Sequence, residues 1–255
     1  MGVVGQLTGR CGAAGDLAVT GAGLAGRVLA GVGGAALGAG FAGVARLRGD
    51  KALHAYGVVV PAELVVAGTG GAEPTGVPLL DQPGRHRCLL RLSRAASLSH
   101  AGPDVMGIAL RVPGAGPAGA DGDLLLATTG DGRFGRYVLA VKPRLGVGTY
   151  TTLLPMRVPD GRRLWLRVVP GECAPDDPAP GHPGEGGLPG RYAVSVALDA
   201  GPWRGVGEVL LGKPAGDADV HFAPIGAAPV GLTPPPWIVA LREPAYRWGS
   251  AAADA

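Results

Sequence analysis

From residue 57 to residue 211 the chain is a succession of short apolar or alternating runs, each followed by turn-forming residues, and this rhythm restricts the fold to a few β architectures. The runs are Gly57–Val66, Cys88–Leu92, Gly107–Val112, Leu124–Thr129, Tyr137–Lys142, Tyr150–Val158, Arg162–Val169, Tyr192–Leu198 and Val206–Leu211. Pro83-Gly84, Asp131-Gly132, Asp160-Gly161 and Pro189-Gly190 punctuate them. Leu164, Leu166 and Val168 alternate with Arg163, Trp165 and Arg167, as a strand with one wet face requires. Many short strands with little helix between them predict a mainly β (α+β) domain, either an antiparallel barrel or a sandwich.

The 47 glycines and 24 prolines cluster between these runs, so they read as turns rather than as low complexity. With 5% aromatic residues, the core must be built from Val, Leu and Ala. Residues 1–45 differ in kind: from Ala18 to Val44 small residues dominate and only Arg27 interrupts them with a charge. The run from Val28 to Ala45 approaches the ~20 residues that span a bilayer but is mostly Gly and Ala. It is expected to form an N-terminal arm or helix lying against the domain of residues 46–255, with weak membrane association as its alternative role. Gly171–Gly190, dense in Pro, Gly and acid, reads as a surface loop. After Pro234-Pro235-Pro236, a short C-terminal helix is expected over Trp237–Tyr246, with Trp237, Leu241 and Ala245 on one face.

A net charge of +3, from 23 basic and 20 acidic residues without a basic stripe, argues against a nucleic-acid partner. Cys11, Cys88 and Cys173 are far apart and match no zinc spacing, so a reducing, cytoplasmic setting is the default. No P-loop, HExxH, G-x-S-x-G or dinucleotide fingerprint is present, and His54, His86, His100, His182 and His221 each stand alone. A hydrolase reading therefore lacks both a nucleophile elbow and a metal ligand set.

A collinear set of short motifs remains. Lys51-Ala-Leu-His54-Ala-Tyr-Gly57 is followed by Leu90-Arg91-Leu92-Ser93, by Asp104-Val-Met-Gly107-Ile-Ala109-Leu-Arg111 and by Asp123-Leu124-Leu125. Val206-Gly207-Glu-Val-Leu-Leu-Gly-Lys-Pro214 and Phe222-Ala-Pro224 come next, leading through Gly231 and Pro235 to Arg242-Glu-Pro-Ala-Tyr246. In order and spacing these segments resemble the catalase superfamily over roughly residues 46 to 249. The resemblance implies a catalase-like antiparallel β-barrel without the long C-terminal regions of full-length catalases, binding haem b and acting on hydrogen peroxide or an organic hydroperoxide. A homo-oligomer is compatible with it.

The same resemblance implies the site. Tyr246 would be the phenolate ligand of the iron, with Arg242 one helical turn earlier to ease its ionisation. His54 would be the general acid and base, Ser93 would orient it, and Arg91 would hold a haem propionate. The sequence departs from the family at Ala127-Thr128-Thr129, where catalases carry a distal asparagine, so the Thr128 hydroxyl is the expected partial substitute. Met106 stands where the family has an arginine, and Leu53 stands where lipid-metabolising relatives have threonine. These departures favour peroxidase-like or isomerase-like chemistry over efficient catalase activity. They also sustain an alternative, a degenerate barrel without haem that serves as a binding or scaffold module.

Overall fold

Alternate residues of the first strand, Val58, Val60, Leu64 and Val66, are all buried, and the same parity continues around the domain. The computed structural model describes residues 57–70, 73–95, 102–171, 188–213, 222 and 227–236. Its elements are β1 (Gly57–Val66), α1 (Pro78–Asp81), β2 (Gly84–Arg94), β3 (Asp104–Val112), a 3₁₀ turn at Pro117–Gly119, β4 (Gly122–Thr129), α2 (Gly132–Gly135), β5 (Val141–Lys142), β6 (Thr149–Thr151), β7 (Met156–Arg157), β8 (Arg163–Pro170), β9 (Arg191–Leu198) and β10 (Arg204–Leu211). The expected N-terminal arm, the C-terminal helix and most of the Gly171–Gly190 loop lie outside the described residues.

Every long strand has a neighbour on both sides. The antiparallel pairings run β1, β2, β3, β4, β6, β8, β9, β10 and return to β1, an eight-stranded barrel with no open edge. This closure selects the barrel over the sandwich. Gly207 helps to make it: it stands opposite Val66 beside a β-bulge, and a Cβ there would strike the Val65 carbonyl oxygen.

The interior is filled in layers set by the register. Val60, Leu90, Leu110 and Leu124 lie side by side across β1 to β4, and Val58, Leu92, Ile108 and Leu126 form the next layer. Leu166 opposite Val196 and Val168 opposite Val194 continue the core on β8 and β9. Tyr150 and Tyr192 supply the large interior rings, packed edge to face with centroids 6.5 Å apart. The connection from β1 to β2 adds Val77, Leu79 and Leu80 to this core. It is fixed by Asp81, whose carboxylate accepts from the Thr75 amide and hydroxyl and from the Gly76 amide at 2.7–2.9 Å.

Two expected strands are corrected. Tyr137–Lys142 contributes only β5, because the amides of Arg136, Tyr137 and Val138 donate back to the carbonyls of Gly132, Phe134 and Gly135 in a helical turn. Tyr150–Val158 splits into β6 and β7: Leu153 has a φ of 58° and Pro155 has no amide to give to a ladder.

Candidate functional site

Because even-numbered residues of β1 to β4 fill the barrel, odd-numbered ones face outward. Ser93 is opposite both Gly57 and Gly107, and Arg91 is opposite Val59 and Ala109. Ala127 on β4 is opposite Gly107, and Leu125 is opposite Ala109. Two polar side chains of β2 are thus set two residues apart on an outer wall where Gly57, Gly107, Ala109 and Ala127 are small and Val59 and Leu125 are larger. The wall is buried although it lies outside the barrel: Val59, Ser93 and Ala109 are 3%, 5% and 7% exposed, and Arg91 is half-buried.

Gly57 is required by this arrangement. A Cβ there would lie 2.6 Å from the Leu92 carbonyl oxygen and 3.3 Å from the Arg91 Cζ, so the guanidinium rests against the bare backbone.

The structure brings Arg91 and Ser93 together on the outer face and places Thr128 on the inner one. Its side chain points into the barrel and is fully buried, with the hydroxyl accepting from the Met106 amide at 3.0 Å and donating to the Ala140 carbonyl at 2.6 Å. It fastens β3 and the segment before β5 to β4. On the outer face the wall presents Ala127 instead, and then Thr129, whose hydroxyl lies 3.2 Å from that of Thr151. Thr128→Val keeps the shape and removes both bonds, which leaves the buried Met106 amide and the partly buried Ala140 carbonyl without them. The expected cost is about 1–3 kcal/mol, read as a lower urea midpoint, with no change in any ligand spectrum.

Met106 likewise points inward, fully buried in the core. His54, Arg242 and Tyr246 lie outside the described residues. Among the described residues no group of three or more His, Cys, Asp or Glu is placed to hold a metal ion, and no helix is long and apolar enough to cross a membrane.

Sequence reasoning missed the role of the Arg111–Asp123 pair. Directly opposite each other on β3 and β4, they form a fork with Nε to Oδ1 at 2.8 Å and Nη2 to Oδ2 at 2.7 Å. Asp123 is buried, and the Arg111 guanidinium lies 4.8 Å from the centre of the Phe222 ring. Hydrogen bonding to Asp123 pushes the Arg111 pKa upward. Three residues that carry the motif pattern therefore clamp β3 to β4.

Cys88 faces the core opposite Ala62, and burial pushes its thiol pKa up to about 12 from the usual 9.0. Below pH 9 the thiol is protonated in both folded and unfolded chains and contributes no pH dependence. Between pH 9 and about 12 the unfolded thiol ionises and the folded one does not, so stability falls as pH rises. Cys88→Ala is expected to flatten that alkaline decline in urea midpoints measured across this range.

No known family model matches the chain, and no curated protein matches it. Solved structures do. Catalase A from Saccharomyces cerevisiae superposes with a TM-score of 0.50 at 11% identity, over 77% of this chain and 60% of that one. The fold is catalase-like. A fungal catalase gives a TM-score of 0.46 at 11% identity, covering 75% and 58% of the two chains. A bacterial catalase gives 0.47 at 12% identity, covering 74% and 55%. The chain spans about 60% of the length of the yeast catalase it resembles. At this identity the likeness concerns the barrel alone.

Proposed function

We propose that this catalase-like barrel binds haem b against the outer wall of β1 to β4 and acts on hydrogen peroxide or an organic hydroperoxide in the cytoplasm. The observation that carries the reading is the placement of Arg91 and Ser93 on one buried outer face among Gly57, Gly107, Ala109 and Ala127. Small residues at Gly57, Gly107, Ala109 and Ala127 would let a plate-shaped group approach the backbone closely, and a half-buried guanidinium at its side suits a carboxylate.

In this reading Arg91 holds a propionate, and Tyr246 supplies a phenolate oxygen to the iron. Arg242, four residues earlier, favours the ionised phenol by its charge. When bound, the haem iron supplies the two-electron redox chemistry that cleaves a peroxide bond. His54, as neutral imidazole, takes the peroxide proton and returns it to the departing oxygen, while the Ser93 hydroxyl orients the ring. The wall offers a methyl group at Ala127 and no amide, so the peroxide is positioned by His54 alone. This supports peroxidase-like or isomerase-like turnover rather than rapid dismutation.

The test is the visible spectrum of the purified chain with one equivalent of ferric haem. A ferric tyrosinate spectrum is expected in the wild type and is lost in Tyr246→Phe; identical spectra in the two would remove the proposed ligand. The absent amide at Ala127 also favours a second reading, a barrel that has kept the fold and lost the cofactor to serve as a binding module. That reading predicts no haem uptake at all.

A further inference from the structure

A second cluster, built mainly on β8 and unrelated to the haem reading, holds more hydrogen-bond donors than the fold satisfies. Arg163, Trp165 and Arg167 lie at alternate positions of β8, and Arg136, just after α2, lies over the Trp165 ring. The Arg136 guanidinium carbon is 5.1 Å from the centre of Trp165 and 4.8 Å from that of Trp203. Arg167 stacks on Trp203 at 4.8 Å, and Tyr137 closes on Trp165 edge to face at 5.7 Å.

The charges do not balance. Arg163 has Asp199 at 3.5 Å and Arg167 has Asp131 at 3.3 Å, whereas Arg136 has no carboxylate partner among the described residues. Arg136 is only 4% exposed. Its Nε and Nη1, the indole Nε1 of Trp165 and of Trp203, and the Nε of Arg167 are all buried without an acceptor. Stacking occupies the faces of the guanidinium but accepts none of its in-plane hydrogens. A buried cation is retained where something neutralises it, and water accepts hydrogen bonds without supplying charge.

We infer that Arg136, Trp165, Trp203 and Arg167 form a binding site for a small oxyanion of the carboxylate or phosphate class. Several lone pairs around one negative centre match a set consisting only of N–H donors. The Trp165 and Trp203 rings wall the site, Arg136 supplies the charge, and Arg167, partly exposed, borders it on the solvent side.

The experiment follows tryptophan emission of the full chain at fixed ionic strength while chloride is exchanged for inorganic phosphate or for acetate. A saturable change with at least one of the two anions, absent in chloride, is expected. Arg136→Met should weaken it about 10- to 100-fold. Arg85→Met, which removes a surface cation paired with Glu63 on β1 and outside the cluster, should retain wild-type binding. If Arg136→Met fails to fold, Trp203→Phe decides: the ring is kept and one donor is lost, so binding should still weaken severalfold. Absence of a saturable response to both anions in the wild type, or equal binding in the wild type and in whichever of the two variants folds, overturns the site. A response to phosphate with none to acetate, or the reverse, fixes which class it takes.

Discussion

His54→Ala is expected to slow peroxide turnover by the haem-loaded chain by about 10²–10⁴-fold, the usual contribution of a positioned general acid and base. His54 is three residues before Gly57, so their Cα atoms are at most about 11 Å apart. Gly57 pairs with Ser93 on the strand that also carries Arg91. In the proposed role the residue moves a proton and does not hold the cofactor, so haem affinity should change little. Stopped-flow rates with hydrogen peroxide and with an organic hydroperoxide check both halves, and an unchanged rate would assign the chemistry elsewhere. Ser93→Ala should shift the pH profile of the same rate and lower it less.

Leu90→Ala is expected to cost about 2–5 kcal/mol of stability. Leu90 is fully buried in the layer with Val60, Leu110 and Leu124. A closed barrel has no free edge through which strands can shift to fill the void, which places the substitution toward the upper part of that range. Urea denaturation should show a lower midpoint with an unchanged slope. A loss below about 1 kcal/mol would mean that the layer is not packed in this register.

The strand pattern was legible because apolar side chains recur with period two along β2, β8 and β9, which makes the buried face visible without any partner. Legibility failed where local turns compete with the ladder. Val138 looks like a core residue in the sequence yet is 53% exposed, because the turn after Gly132 takes up the backbone amides, and Val141 is 61% exposed on the two-residue strand β5. The site was half legible for a related reason. Leu124, Leu125 and Leu126 are consecutive, so nothing in that run says which parity points inward, or whether Ala127 or Thr128 faces the outer wall. Only the pairing of β4 with β3 resolves it. The Gly57 in the first motif gains its reason only from the Arg91 guanidinium and Leu92 carbonyl packed on it. Arg136 was silent altogether, since its stacking partners Trp165 and Trp203 are far along the chain and meet it only in the folded barrel.

The central claim, that a flat porphyrin docks on the outer wall beneath Arg91, is tested most directly by absorbance titration of ferric haem into the wild type and into Ala109→Trp. Ala109 faces outward beside Arg91, so the indole would fill the proposed plate site while leaving the barrel interior untouched. One equivalent bound saturably by the wild type and none by a folded Ala109→Trp is the predicted result. No uptake by the wild type, or equal uptake by both, would contradict it.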